Sequence, residues 1–154
     1  METVFSVKDL QVRFETPDGD VEAVRGVSFD VAARETLAIV GESGSGKSQI
    51  MMAAMGLLAL NGTARGSVSY RGTALLGLPR ARLNAVRGAK ITMIFQEPMT
   101  SLDPLYSIGR QLAEPLRVHG GLSGRAARKR AIELLKLVRL IILFMVLQLV
   151  MSLL

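Results

Sequence analysis

Cysteine and tryptophan are absent from the 154-residue sequence, and histidine occurs once. Without thiols there is no disulfide framework and no thiolate metal site, which fits a reducing, cytosolic setting and leaves stability to an ordinary apolar core. The start Met1-Glu2-Thr3-Val4 has neither the basic nor the apolar region of a secretion signal. Aromatic residues are scarce, at 5%. A nucleic-acid binder interleaves aromatics with spread basic groups, so no nucleic-acid partner is expected. Acidic residues are outnumbered, 13 against 19 lysines and arginines, for a net charge of +6. That excess is local: between Gly124 and Arg139 six basic residues stand against Glu133 alone, which gives +5 of the total. Apolar residues make up 49%, enough for one domain with a real core, though the length is short for the larger nucleotide-hydrolysing machines.

Glycine, by contrast, is concentrated where it matters. The stretch GESGSGKSQI, Gly41 to Ile50, follows the apolar run Leu37-Ala38-Ile39-Val40 and has the spacing GxxxxGKS. Ordering so much glycine costs entropy, which is sensible where a backbone must take left-handed angles or let a ligand approach. The pattern suits a phosphate cradle. Backbone N–H groups converge on an anion, Lys47 reaches its outer oxygens, and the Ser48 hydroxyl can ligate Mg²⁺. Residues 49–58 are mostly good helix formers, so the positive end of a helix is expected to face the same anion.

Elsewhere the periodicity predicts a strand over 3–14 with Leu10, Val12 and Phe14 on one face, a turn at Thr16–Asp20, and a strand through Val27, Phe29 and Val31. Buried strands are expected at Thr36–Val40 and Ile91–Phe95, and a short strand at Ser67–Tyr70. Two prolines predict a structured loop at 96–104. Helices are expected over Tyr106–His119, interrupted near Pro115, and from a Ser123 cap through Leu140, with Ala131, Leu134, Leu135 and Val138 on one face. Met51, Met52 and Met55 follow helical spacing as packing residues. His119 reads as a solvated residue at a helix end, and the Arg125–Arg130 run as a solvated helix face.

Taken with MIFQEPMTSLDPLYSIGRQLAEPL, Met93 to Leu116, and with the N-terminal frame VRFETPDGDVEAVRGVSF, the phosphate-loop motif resembles the ATP-binding subunit of an ABC transporter, in the oligopeptide/dipeptide importer branch. The resemblance covers about residues 3–140. It implies an α/β fold: a P-loop NTPase-type ABC ATPase core with an antiparallel β N-terminal part and the start of a helical subdomain, as an incomplete domain. The strand, loop and helix of the nucleotide site would span 36–58, the glutamine loop 96–106 and the helical part 106–140. By this resemblance Gly41, Gly44, Ser45, Gly46, Lys47, Ser48 and Gln49 hold the phosphates of ATP, Phe14 stacks on adenine, and Ser48 and Gln96 serve Mg²⁺. The implied partners are integral-membrane permease subunits and a second ATP-binding subunit in a dimer. The implied location is the cytoplasmic face of the cell membrane, with MgATP binding and hydrolysis coupled to peptide transport.

Two departures from the family stand out. Arg34 occupies a turn position usually given to glycine. From Leu140 the sequence runs LIILFMVLQLVMSLL, without charge, glycine or proline, where the family has its signature loop, a carboxylate-bearing strand and a switch histidine. A chain without these is expected to bind ATP and not to hydrolyse it alone, so no catalytic residue is assigned. The apolar run at 141–154 fits a changed reading frame. As a membrane anchor it falls short of the about twenty residues needed to cross a bilayer. A different class of function remains open, a non-catalytic fragment that docks on permease or full-length subunits through the Gln96–Tyr106 loop.

Overall fold

In a computed structural model of the chain, the structure describes residues 2–96 and 102–151, with side chains as far as Val138. Two compact units emerge, residues 1–87 and 88–154.

Unit one is built on an antiparallel sheet. Strand β1 (Thr3–Thr16) turns at Pro17-Asp18 into β2 (Gly19–Ala32), and β3 (Gly62–Tyr70) pairs on the other side of β1, with the two-residue β4 (Thr73–Ala74) outside it in the order β2-β1-β3-β4. Helix α1 (Lys47–Ala54) lies against β1 and β2, and α2 (Arg80–Val86) follows β4. Val7, Leu10, Val12, Val24 and Val68 from the sheet are buried, as are Ile50, Ala53, Ala54 and Met55 from α1 and its end. Ile50, Ala53 and Ala54 sit at i, i+3 and i+4, the spacing of a single helix face.

Val7 and Leu10 differ in parity yet are both buried. A β-bulge reconciles them. Asp9 takes a left-handed φ of 45°, and the register slips between Val7 and Leu10 against β2 and between Lys8 and Gln11 against β3. One extra residue in β1 moves the apolar set to the other phase, so even positions face inward from Leu10 onward. Nearer the start of β1, the Ser6 hydroxyl donates to Asp30 and Lys8 pairs with it at 3.3 Å. Together, the hydroxyl first, they hold the Asp30 carboxyl below its usual range.

Helix α1 stops earlier than residues 49–58 suggest. Gly56 has φ 58°, Leu57 N–H donates to Met52 O at 2.8 Å and Gly56 N–H to Ala53 O at 3.0 Å, the paired bonds of a glycine-terminated helix end. The Arg87 guanidinium closes the same end, donating from Nε to Met55 O and from Nη2 to Gly56 O, each at 2.7 Å. Nothing in a sequence separation of 31 residues signals that contact.

Two expectations are corrected. Thr36–Val40 and Ile91–Phe95 form no strand, and among the described residues none of the four strands pairs with either. Val40 is 87% exposed and Ile94 94%. An apolar run supplies a face for a strand, but its N–H and C=O groups need a neighbouring ladder. The described strands form their ladders with one another, and Ile91 reaches only an isolated bridge, its carbonyl accepting from Gly88 N–H at 2.9 Å.

Unit two holds α3 (Ile108–Val118) and α4 (Gly124–Met151), packed on each other. Ser107 caps α3 by accepting from Arg110 N–H at 3.3 Å, and Ser123 caps α4 by accepting from Ala126 N–H at 3.4 Å. Pro115 sits inside α3 without breaking it. The Gln111 side chain ties the preceding loop to the helix, donating to the carbonyls of Asp103 and Tyr106 at 2.8 Å and accepting from Asp103 N–H at 3.0 Å. His119 is the exposed end residue of α3. On α4 the inward face is narrower than expected: Ala127 and Ala131 are buried and Leu134 half-buried, whereas Leu135 and Val138 are exposed. Helical backbone continues to Met151.

Candidate functional site

The glycine-rich loop leads directly into α1. Gly44 and Gly46 have φ of 79° and 86°, both left-handed, and Gly46 is the residue at which the helix begins. Its carbonyl accepts from Gln49 N–H at 2.9 Å and Ile50 N–H at 3.3 Å. That leaves the first turn's own donors pointing out of the helix. Among the described residues, the N–H groups of Gly44, Gly46, Lys47 and Ser48 donate to no backbone carbonyl, while Ser45 N–H reaches Glu42 O at 3.2 Å. The loop is exposed from Gly41 to Ser45, and Gly46 and Lys47 are half-buried.

Lys47 folds back over this loop. Its ammonium donates to Gly41 O at 2.8 Å, to Glu42 O at 2.5 Å and to Ser45 Oγ at 3.2 Å. The cation and the unspent amides thus lie on one short segment, as anion capture at a helix start requires. Ser48 is exposed and Gln49 half-buried at the same helix start. Exchanging three loop acceptors for the oxygens of a bound phosphate would cost Lys47 little, since both sets accept from the same ammonium.

Sequence reading did not find what supports the loop from below. Between Val12↔Val24 and Arg13↔Glu22 the β1–β2 register skips Ala23, a bulge in β2. A Cβ on Gly46 would lie 2.1 Å from the Ala23 carbonyl oxygen and 3.4 Å from Val24 Cγ2. Only glycine lets the chain pass that carbonyl in a left-handed conformation. No residue type marks the bulge at Ala23, so the sequence carried no signal for it.

Phe14 shares the parity of Val12 on β1 and faces the same side of the sheet, the side touched by Gly46. Its ring is half-buried over Gly62, where a Cβ would come within 2.6 Å of Cε1. Gln96 is exposed at a bend in unit two, whereas Ser48 belongs to unit one. The rest of the expected glutamine loop as far as residue 101 lies outside the described residues. Among the described residues no cluster of three His, Asp or Glu side chains could hold a metal.

Comparison with known proteins follows the same outline. The ABC transporter family matches residues 24–145. The oligopeptide transport ATP-binding protein OppD of Escherichia coli K12 is 49% identical over 139 residues, covering 90% of this chain and 41% of that protein. The dipeptide transport ATP-binding protein DppD of Lactococcus lactis subsp. cremoris is 51% identical over 137 residues, covering 88% and 39%. The chain therefore spans about two fifths of the length of these relatives. Among solved structures, the dimeric ATP-binding cassette MJ0796, in a post-hydrolysis state bound to ADP and Pi, superposes with a TM-score of 0.71 at 28% identity, over 86% of this chain and 56% of that one. With a phosphate loop of this geometry and a family match across most of its length, the chain belongs to the ABC transporter family.

Proposed function

We propose that this chain carries the nucleotide-binding part of the ATP-binding subunit of a peptide importer, and that it binds MgATP at the Gly41–Gln49 loop. The observation that carries the reading is the set of unspent amides at Gly44, Gly46, Lys47 and Ser48 beside the Lys47 ammonium. The residues fit the ligand: the amides take the inner phosphate oxygens, Lys47 the outer ones, and the Ser48 hydroxyl a magnesium ion shared with them. MgATP would supply the cleavable phosphate bond. This chain's residues bind the phosphates, screen their charge and fix their orientation. Phe14 is proposed as the adenine platform, supported by its half-exposed ring on the loop side of the sheet. Gln96 is proposed as a second group serving Mg²⁺, on the strength of its motif.

Hydrolysis is not assigned to these residues, because none of them matches the family's signature loop, second carboxylate or switch histidine. Permease subunits and a second ATP-binding subunit are the proposed partners, at the cytoplasmic face of the membrane. That reading is supported by relatives named for oligopeptide and dipeptide transport and by a solved cassette described as dimeric. The test is equilibrium binding of ATP to the purified chain with and without Mg²⁺, beside a Lys47→Ala variant. Loss of one charge-assisted contact is expected to weaken binding roughly tenfold or more. Equal affinity of the two proteins would place the nucleotide elsewhere.

A further inference from the structure

On the sheet face opposite the phosphate loop, three arginines meet. Val12 and Val24 face the loop side, so their neighbours Gln11, Arg13 and Arg25 face the other. Register places Gln11 directly across from Arg25 on β2 and from Arg65 on β3, and Arg13 across from Glu22 and Thr63. Two guanidinium groups therefore flank one amide in a single cross-strand row, with a third one row away. These six residues, with the intervening Val12 and Val24, line a groove of about 270 Å³.

Like charges gathered across a sheet are unfavourable unless something answers them. Arg13 is answered by Asp20, and Arg25 only weakly, by Glu22 at 3.9 Å. Arg65 has no carboxylate within 4.0 Å among the described residues. The lining holds three guanidinium groups and the Glu22 carboxylate, and Asp20 answers Arg13 from beside it. The Gln11 amide already donates to Asp9 and the Thr63 hydroxyl to Arg13 O, each at 3.5 Å, which leaves Arg65 and Arg25 as the under-answered cations. Planar guanidinium forks match phosphate oxygens in pairs, a selectivity that lysines would not give. The groove is small beside the about 300–1,000 Å³ of typical organic-ligand sites and holds no aromatic on which a base could stack, which disfavours a nucleotide or a nucleic-acid strand.

We propose that this groove is a second anion site, separate from the phosphate loop, that takes a compact phosphate group on Arg25, Arg65 and Arg13. Either a free phosphate or diphosphate or the headgroup of an acidic phospholipid could present that chemistry.

Residue-resolved arginine modification tests it on the unaltered full chain. The protein is treated with phenylglyoxal in the presence and absence of pyrophosphate, and modification is read at each arginine by mass spectrometry. Arg80 and Arg82 on α2, both exposed and outside the groove, serve as internal references. Pyrophosphate is expected to slow modification of Arg65 and Arg25 on the order of tenfold relative to the references, as bidentate contacts to both groups would require. A parallel arm replaces pyrophosphate with phosphatidylcholine vesicles containing phosphatidic acid, with pure phosphatidylcholine as control. Protection by pyrophosphate assigns a free phosphate, and protection by the acidic vesicles alone assigns a lipid headgroup. Unchanged ratios in both arms overturn the proposal. Pyrophosphate can also occupy the phosphate loop, so the same arm is run with Lys47→Ala: protection of Arg65 and Arg25 that persists there belongs to the groove, and protection lost there overturns the proposal.

Discussion

At the scale of single residues, Arg34 shows how one side chain can be at odds with its backbone. It holds φ 66° in the turn that leaves β2, and Glu35 closes that turn, its carboxylate accepting from Ala32 N–H at 2.6 Å. A residue with a Cβ in this region is disfavoured by about 1–2 kcal/mol. Glycine would remove that strain and give back part of the gain as extra freedom in the unfolded chain, a loss of about 0.5–1 kcal/mol. Arg34→Gly is therefore expected to stabilise unit one by roughly 0.5–1 kcal/mol. A rise in the urea midpoint at unchanged slope would show it; a fall would mean the arginine makes a compensating contact. The expectation of a strained turn was legible in the sequence because an arginine stood where glycine is usual. Phe14 was legible only in part. Its spacing placed it on the right face, but its packing over Gly62 depends on a strand distant in sequence, and the nearby hydrogen bond from Asn61 Nδ2 to Glu15 O likewise joins residues 46 apart.

Among elements, the bulge in β1 decides which side chains are inside. Asp9 N–H donates to Ser28 Oγ at 2.8 Å, and the Asp9 backbone lies so close to Gly66 that a Cβ there would meet Asp9 O at 2.2 Å. Gly66 also has φ 102°. Both conditions forbid a side chain, so Gly66→Ala is expected to destabilise the β1–β3 pairing by about 2–4 kcal/mol. Thermal unfolding followed by circular dichroism would register the loss, and an unchanged midpoint would show that the bulge relaxes freely. Alternation in the sequence identified Leu10 and Val12 as core but could not register the phase change that also brings in Val7. Bulges have no composition of their own when the left-handed residue is an aspartate. The helices were easier to read, since Ser107 and Ser123 are local caps acting on residues three positions away.

For the molecule as a whole, the division is between parts that complete their ladders and parts that do not. The β1–β2–β3 sheet exchanges its hydrogen bonds internally, whereas Thr36–Val40 and Thr92–Phe95 carry apolar side chains on backbone without strand partners among the described residues. Hydrogen exchange is expected to separate them, with amides of β1 among the most protected and those of 36–40 exchanging fastest within unit one. Protection at 36–40 equal to that of β1 would mean that these residues find a ladder in solution. The phosphate-loop motif was readable from ten residues because that chemistry is local, and the family from that motif taken with Met93–Leu116 and the N-terminal frame. The antiparallel strands around it were readable too, at 3–14, 27–31 and 67–70. That Thr36–Val40 and Ile91–Phe95 join no ladder among the described residues was not, because pairing partners are chosen by tertiary structure rather than by the strand's own residues.

The carbonyl of Ala23 beneath Gly46 ties these scales together. Whatever settles among the loop amides must hold Gly46 in place, and Gly46 can keep its place only while the hairpin keeps its register. Thermodynamic reciprocity then makes the hairpin a silent second beneficiary of binding. A ligand that never touches β2 should still quieten it, and the Val24 methyl groups, buried beside that junction, are where its arrival would first be heard.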